Sequence, residues 1–148
     1  MADPLVSTGH VKLTLAGARA ILEGAEGRAR EIAVPMDIAV VDDGALLLAF
    51  IRMDGAKLTS VDIAINKAFT AAGTRKGTHE YTAVAGAGGP AFGIFVSNQG
   101  RFMIFGGGLP IVVDGQTIGG VGCSSGSAEQ DREVAQAGLD CLRARLGG

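Results

Sequence analysis

The chain has 148 residues, of which 47% are hydrophobic and 19% charged, and its mean hydropathy is +0.33. This length suits one domain. The apolar content is high, but no apolar run is long enough to span a membrane, so the composition favours contacts with other subunits. A formal net charge of −2, with no Lys/Arg run, argues against a nucleic-acid partner. Because the N-terminal residues show no signal-peptide pattern, we expect a cytoplasmic domain over residues 1–148, away from membranes, that forms a homodimer or a higher homo-oligomer.

Hydrophobic spacing and turn residues predict the element order α-ββ-α-ββ(ββ)-α. Thr14 and Ser127 are expected to cap the first and last helices, whereas Thr59 begins the middle helix and Gly73 ends it. Hairpin-joined strands bracketed by helices predict an α+β fold, a single layered domain with a mostly antiparallel sheet of about five to six strands in a profilin-like α/β/α arrangement. The predicted helices cover residues 15–32, 60–72 and 128–146, and the predicted strands cover 37–41, 45–53, 91–96, 102–105, 109–113 and 117–123.

Three consecutive glycines, Gly106 to Gly108, stand between two apolar runs. A phosphate-binding loop would continue into a helix that begins with Lys and Ser/Thr, but here a Leu-Pro-Ile strand signal follows. The motif instead predicts a bend where the backbone lies close to a ligand or another subunit, which makes Gly107, Gly108 and Pro110 candidate ligand-binding residues. In Gly119–Gly122, tight strand packing and a nearby ligand are equally good explanations.

Lys67 is the most informative charge in the sequence. Positions three and four residues away on its predicted helix carry no carboxylate, so we expect an unpaired amine. It either reaches solvent or points into a pocket with Ser60 and Thr70, where it would act as an anion clamp. Arg52 would supply a second cation for a carboxylate, unless it only contacts Asp54 at the surface.

Two further polar pairs are weak catalytic signals. His79 and Glu80 begin like a zinc-peptidase motif, but Ala83 stands where the second histidine is required, so we expect no metal site. Ser124 and Ser125 stand at a strand-to-helix transition that resembles a nucleophile elbow only faintly. They are candidates for helix capping or for ligand binding.

Four blocks of the sequence resemble one family, the GlcG/HbpS family of haem-degrading or haem-binding-type domains, which also form the C-terminal part of PduO-type corrinoid adenosyltransferases. The resemblance implies an oligomeric domain with an antiparallel sheet, and activities from haem or tetrapyrrole binding to deamination of a muconate-type product. Cys123 replaces a usual small aliphatic residue. The blocks are LTLAGARAILEGAEGRAREIAVPMDIAVVDDGALLLAFIRMDGA, SVDIAINKAFTAAGTRKGT, GGGLPIVVDGQTIGGVGCSSG and EQDREVAQAG. The family's motifs fall on Arg52–Gly55; on Ser60, Lys67 and Thr70; on Gly107, Gly108 and Pro110; and on Gly122–Asp131.

The main functional hypothesis is a catabolic small-molecule-binding protein. It would hold a compact anionic metabolite, a carboxylate, near a subunit interface and would require no cofactor. If it is an enzyme, it would deaminate, hydrate or tautomerise an unsaturated acid. The candidate catalytic residues are Lys67, Arg52, His79, Asp54 and Glu80.

The alternative hypothesis is a haem- or tetrapyrrole-binding protein of the haem-degrading type. It needs an axial ligand and a large apolar slot, whereas the chain has no Trp, one Tyr and six Phe. A third hypothesis is an assembly module without chemistry. The candidate haem ligands are His10, His79, Met53, Met103 and Tyr81.

Overall fold

The middle layer of the fold is an antiparallel sheet of four strands within residues 2–147, the part of the chain that this computed structural model describes. The strands are β1 (Asp37–Asp42), β2 (Leu47–Arg52), β3 (Gly108–Val113) and β4 (Gln116–Ser124). They lie in the order β2-β1-β4-β3, so two hairpins meet along β1 and β4. The sheet edges are therefore β2 and β3.

Helices cover both faces of this sheet. They are α1 (Leu15–Glu31), α2 (Ser60–Thr74), the single turns α3 (Thr82–Ala85) and α4 (Ser97–Gly100), and α5 (Ala128–Arg145). Helices α1 and α5 pack against each other on one face, and α2 packs on the other against β4, β1 and β3. This arrangement confirms the predicted α+β domain with an antiparallel sheet between helices.

The alternating side chains of β1 divide the interior into two cores. Ile38 and Val40 face the larger core, against α1 and α5, whereas Ala39 and Val41 face α2. The core under α2 consists mainly of small side chains, so this helix lies close to the sheet.

Two glycines of β4 make this close approach feasible. A Cβ atom on Gly122 would overlap the carbonyl oxygen of Ala64, and one on Gly120 would overlap that of Ala68. Both carbonyl groups belong to α2. Tight packing of a helix therefore accounts for these glycines.

Of the four predicted helix-end residues, Thr14 and Ser127 form side-chain caps, and Thr59 directly precedes α2 without a capping hydrogen bond from its side chain. The Thr14 side chain accepts a hydrogen bond from the Gly17 N–H at 3.1 Å, and Ser127 forms a capping box with Gln130. The predicted end of α2 at Gly73 is wrong, because the helix continues to Thr74. Arg75 takes the left-handed conformation there, with φ 60°, and its N–H bonds to the Ala71 carbonyl.

The prediction of strands at 91–96 and 102–105 is wrong, and this explains why the sheet has four strands rather than five or six. Residues Ile94–Val96 form a 3-10 turn that leads into α4. Asn98 and Gln99 have φ angles of 53° and 61°, which extended strands do not adopt. The segment is therefore a folded surface loop.

Candidate functional site

The buried centre of the predicted site is an ion pair. Lys67, in the middle of α2, has 0% of its surface exposed. Its Nζ donates to Asp131 Oδ2 at 2.7 Å and to the Cys123 carbonyl oxygen at 3.0 Å. The expectation of an unpaired lysine is thus wrong, because its carboxylate comes from α5, 64 residues further along the chain.

Burial acts against the charged form of both partners. It lowers the pKa of Lys67, while the neighbouring Asp131 opposes this shift. It raises the pKa of Asp131, which Lys67 opposes in turn. The second oxygen of Asp131, Oδ1, accepts the Gly126 N–H at 2.9 Å. The pair therefore joins α2, the end of β4 and α5, and its attraction offsets the loss of hydration.

The glycine bend closes directly over this pair. Gly107 has a φ of 128°, and a Cβ atom there would lie 2.6 Å from Lys67 Nζ and 2.8 Å from Asp131 Cβ. Its carbonyl oxygen accepts the Cys123 N–H at 2.9 Å, and the Gly108 N–H donates to Thr78 Oγ1 at 2.9 Å. The backbone does come close to other groups here, and they are atoms of the same chain, so a ligand or another subunit at the bend stays a prediction.

An aromatic ring completes the enclosure. Phe105, which immediately precedes the glycines, holds its ring centre 4.9 Å from Lys67 Nζ. Thr70, one turn further along α2, donates to the Asn66 carbonyl at 2.8 Å and accepts the Met103 N–H at 2.9 Å. Thr70 therefore ties the loop that carries Phe105 to α2.

His79 lies on the other side of the glycine bend. Its Cβ would be 3.5 Å from a Cβ on Gly106, and its Nδ1 is buried without a hydrogen-bond partner in the described chain. Burial lowers the pKa of His79, nearby Arg132 adds to this shift, and Glu80 opposes it. Glu80 itself accepts the Gly77 N–H at 2.8 Å. His79 is thus held near the bend in its neutral form.

Several of the other predicted site residues lie at a different place, around the start of β1. Asp37 pairs in register with Arg52 of β2 and with Ser124 of β4, so β1 separates Arg52 from the strand that contacts Lys67. Ser125 Oγ accepts the Lys57 N–H at 3.0 Å. Ser60 is buried at the start of α2, Asp54 is exposed beyond β2, and Pro110 lies in the edge strand β3. A joint clamp by Arg52 and Lys67 stays a prediction.

Sequence reasoning missed two acidic residues. Spacing along α2 cannot reveal Asp131, because this residue lies in α5. The family motif that falls on Gly122–Asp131 nevertheless includes it. Asp37 is 0% exposed, and neither of its carboxylate oxygens has a hydrogen-bond partner within residues 2–147. Burial raises the pKa of Asp37, while Arg52 opposes the shift. The signal that could have identified Asp37 is an acidic residue within the otherwise apolar run Met36–Val41.

A groove lies between the edge strand β3 and the C-terminal half of α5. We call it the β3–α5 groove; its volume is about 550 Å³. Gln116, just after the turn that borders this groove, donates to the Gly9 carbonyl at 3.2 Å and accepts the Val11 N–H at 3.0 Å. His10 lies between these two anchored residues and is exposed. The lining residues are Pro110, Ile111, Val112, Val113, Asp114, Leu139, Leu142, Arg143, Leu146 and Gly147.

A second, smaller hollow lies in the loop before the glycine bend. We call it the aromatic hollow; its volume is about 370 Å³ and its surface is mostly apolar. Met103 lines it, whereas the Met53 sulfur faces the main core and accepts the Met36 N–H at 3.4 Å. Tyr81 packs edge-on against Phe102, with 4.9 Å between ring centres. The lining residues are Phe95, Gly100, Phe102, Met103, Ile104 and Phe105.

Both cysteines are free thiols. The Cys123 side chain belongs to the main core, burial raises the pKa of its thiol, and its carbonyl group is what contacts Lys67. Across residues 2–147, no three His, Cys, Asp or Glu side chains converge as a metal site would require, and no helix has the length and apolar character to cross a membrane.

The structure is that of a three-layered α+β domain with a buried Lys67–Asp131 pair beneath the glycine bend. Comparison with known proteins identifies the family of this domain. Residues 13–140 match the family described as haem degrading protein HbpS-like. The chain belongs to this family, as the resemblance of its four sequence blocks predicts.

Several known proteins resemble the chain over most of its length. An uncharacterized 15.0 kDa protein of the dhaT-dhaS intergenic region of Citrobacter freundii is 47% identical over 88% of this chain and 92% of its own. The crystal structure of protein ORFY from Klebsiella pneumoniae superposes with a TM-score of 0.91, at 41% identity, over 96% of this chain and 99% of that one. The PduOC:haem complex superposes with a TM-score of 0.85, at 34% identity, over 88% and 95%.

Proposed function

We propose that this protein binds haem in the β3–α5 groove, with His10 as an axial ligand. The observation that carries the proposal is the match to PduOC, a protein of the same fold whose structure is a complex with haem. The description of the family as haem degrading supports the same ligand class. The proposal concerns binding and does not include turnover.

The β3–α5 groove combines polar and apolar surface, which suits a flat ligand with an apolar ring and carboxylates. Its volume of about 550 Å³ lies within the usual range of small-molecule sites. Ile111, Leu139 and Leu142 supply apolar walls, and Arg143 stands exposed at the rim. Haem combines a large apolar macrocycle with two propionates, so the apolar walls would hold the ring and Arg143 would pair with a propionate.

His10 is the candidate ligand whose environment suits this groove. Backbone hydrogen bonds to Gln116 fix the chain on both sides of it, and its Nε2 lies 2.8 Å from Ser7 Oγ. Ligating histidines usually bond through the other ring nitrogen to such a partner, which orients the ring. With Nε2 held by Ser7, Nδ1 would face the iron, whose axial chemistry haem supplies when it is bound.

The other candidate ligands are less suited to this groove. Met53 already accepts a backbone hydrogen bond, and His79 stands beside the glycine bend. Met103 lines the separate aromatic hollow. The competing hypothesis of a carboxylate site at Lys67 rested on an unpaired amine, and its ion pair with Asp131 removes that premise.

Titration of the purified protein with haemin tests the proposal. We expect a saturable Soret band at one haem per chain, and His10→Ala should shift this band and weaken binding by at least about tenfold. Leu146→Glu, a change at the exposed end of the groove, should also weaken binding. His79→Ala is the matched histidine control, and Leu58→Glu is the matched surface control; both should bind as the wild type does.

Two results would overturn the proposal in different ways. A wild-type chain without a saturable Soret band would refute haem binding itself. Haem binding that survives both His10→Ala and Leu146→Glu, with circular dichroism showing folded proteins, would refute the ligand and the groove.

A further inference from the structure

A carboxylate without a hydrogen-bond partner lies at the end of the sheet where β1 begins. Asp37 is 0% exposed, and neither of its carboxylate oxygens has a partner within residues 2–147. Buried polar groups in folded proteins are nearly always paired, because burial without a partner costs the hydration energy of the group. The described chain thus leaves a buried acceptor that a ligand can satisfy.

The alternation of side chains along β1 places Asp37 on the face of the sheet that α2 covers. Ala39, two residues along the strand, packs against α2, so Asp37 lies on the same face. The register neighbours of Asp37 are Ser124 of β4 and Arg52 of β2. Directly paired residues share a face, so a carboxylate, a hydroxyl and a guanidinium group stand side by side at this end of the sheet.

The first turn of α2 lies over this row of side chains. The helix runs antiparallel to β4, as its close contacts with the two β4 glycines show, and Ala64 lies against Gly122. Two residues along a strand and four along a helix both advance about 6–7 Å, so Ser60 comes over Ser124. Both serines are buried. Thr59, which precedes α2, gives the helix no side-chain cap, so the positive end of the helix dipole faces this row.

The charges at this place have opposite signs. Asp37 favours a cation, whereas Arg52 and the N-terminal end of α2 favour an anion. Arg52 is exposed and forms no ion pair within residues 2–147. It opposes the rise in the pKa of Asp37, so the two charges interact across the strand pair. A lone cation would be repelled by Arg52 and a lone carboxylate by Asp37, whereas a molecule with an ammonium and a carboxylate group satisfies both and adds no net charge.

We propose that this end of the sheet binds a small α-amino acid as its zwitterion. The ammonium group would bond to Asp37, and the carboxylate would bond to Arg52 and to the first N–H groups of α2. Ser60 and Ser124 would border the ligand with their hydroxyl groups. This site lies on the α2 face of the sheet, whereas the β3–α5 groove lies beside the edge strand β3, so amino-acid binding is independent of haem binding.

Residues 53–59 cover the site. The Met53 N–H donates to the Met36 carbonyl at 3.1 Å, and the Lys57 N–H donates to Ser125 Oγ at 3.0 Å. The segment thus passes from the beginning of β1 to the end of β4. Ser125 has a φ of 119°, a conformation that residues other than glycine rarely adopt and that stores strain. Because the segment is mostly exposed and is tied to a strained residue, its opening is the route by which a small ligand would enter.

Isothermal titration calorimetry of the purified full chain with glycine, L-alanine and L-serine tests the site. We expect at least one of them to bind saturably, and acetate and methylammonium, which carry one half of the ligand each, to bind at least about tenfold more weakly. Asp37→Asn and Arg52→Gln should each weaken amino-acid binding at least about tenfold, because each removes the charge that holds one end of the ligand. Asp140→Asn and Arg19→Gln, at exposed residues of α5 and α1, are the matched controls and should bind as the wild type does.

Circular dichroism verifies that each variant is folded, and haemin titration of Asp37→Asn should match that of the wild type. A wild-type chain that binds none of the three amino acids at up to about 10 mM would overturn the proposal, whatever the outcome with haem. Acetate or methylammonium that binds as tightly as the amino acid would overturn it as well, since a site for a simple anion or cation would then suffice. Unchanged binding by Asp37→Asn would refute the role of the buried carboxylate.

Discussion

The Lys67–Asp131 pair and the β3–α5 groove show two opposite ways to place charge near apolar surface. At the pair, both charges are buried and satisfied by protein atoms, and the glycine bend leaves no room for a side chain. At the groove, Arg143 stays exposed beside a partly apolar surface, and His10 is exposed on an arm that Gln116 anchors. A polar group with all its partners inside the fold stabilises the fold, whereas one that borders an open apolar surface is available to a ligand.

Among the changes that test this contrast, removal of Lys67 is expected to have the largest effect on stability. Lys67→Ala leaves Asp131 buried without its partner, and such losses cost about 3–5 kcal/mol. Chemical denaturation should show a large fall in the free energy of unfolding. The exposed Lys57→Ala is the control. A double replacement, Lys67→Met with Asp131→Leu, should recover much of the loss; if Lys67→Ala alone proves harmless, the pair is not structural.

A side chain at the glycine bend should be nearly as damaging. The bend alone suggests that Gly107→Val blocks a ligand in a folded protein. The structure predicts unfolding instead, because a Cβ meets Lys67 Nζ at 2.6 Å and φ 128° adds strain of about 1–3 kcal/mol. Thermal melting measures the loss. Gly73→Ala, inside α2 with open space around it, should not lower the melting temperature. A native melting temperature for Gly107→Val would contradict the enclosure of the pair.

The pH dependence of stability tests the role of Asp37, a buried carboxylate without a hydrogen-bond partner within residues 2–147. Because its pKa is raised in the folded state, the protein binds more protons than the unfolded chain, and stability falls as pH rises from the ordinary Asp value of about 3.9 through the raised value. Asp37→Asn should remove this fall and raise stability at neutral pH. Urea denaturation at several pH values checks it; the exposed Asp3→Asn should change nothing. Parallel pH profiles for wild type and Asp37→Asn would contradict the prediction.

The smallest expected effect concerns the anchor of His10. Gln116→Ala removes two hydrogen bonds to the N-terminal arm, each worth about 1 kcal/mol. Haem affinity should fall several-fold, less than for His10→Ala, and the melting temperature should fall by a few degrees. Gln136→Ala, on the exposed side of α5, is the control. Unchanged affinity for Gln116→Ala would show that the arm does not position the ligand.

The helices and hairpins followed from local chemistry. Thr14 and Ser127 cap because their hydroxyls reach N–H groups only three residues away, and such contacts depend on short stretches of sequence. The prediction of strands within 91–105 was wrong because Phe and Ile favour strands by propensity. Residues in the left-handed conformation, such as Asn98 and Gln99, determine the path of this loop instead.

The candidate site was harder to predict because its contacts join distant parts of the chain. Lys67 was identified correctly as unusual, and Gly107 as a place of close approach. Their link through Asp131 depends on how α5 packs across the end of β4, which no spacing within one helix encodes. The position of His10 likewise depends on Gln116, 105 residues beyond Val11.

Pro110 gives the β3–α5 groove a further property. It lies in β3, an edge strand whose outer side borders the groove. Because proline has no N–H, an incoming strand could not complete a regular ladder along this edge. A partly apolar groove beside an open sheet edge would otherwise invite fibril-like stacking of chains, so this one residue helps to keep the groove free for a small molecule.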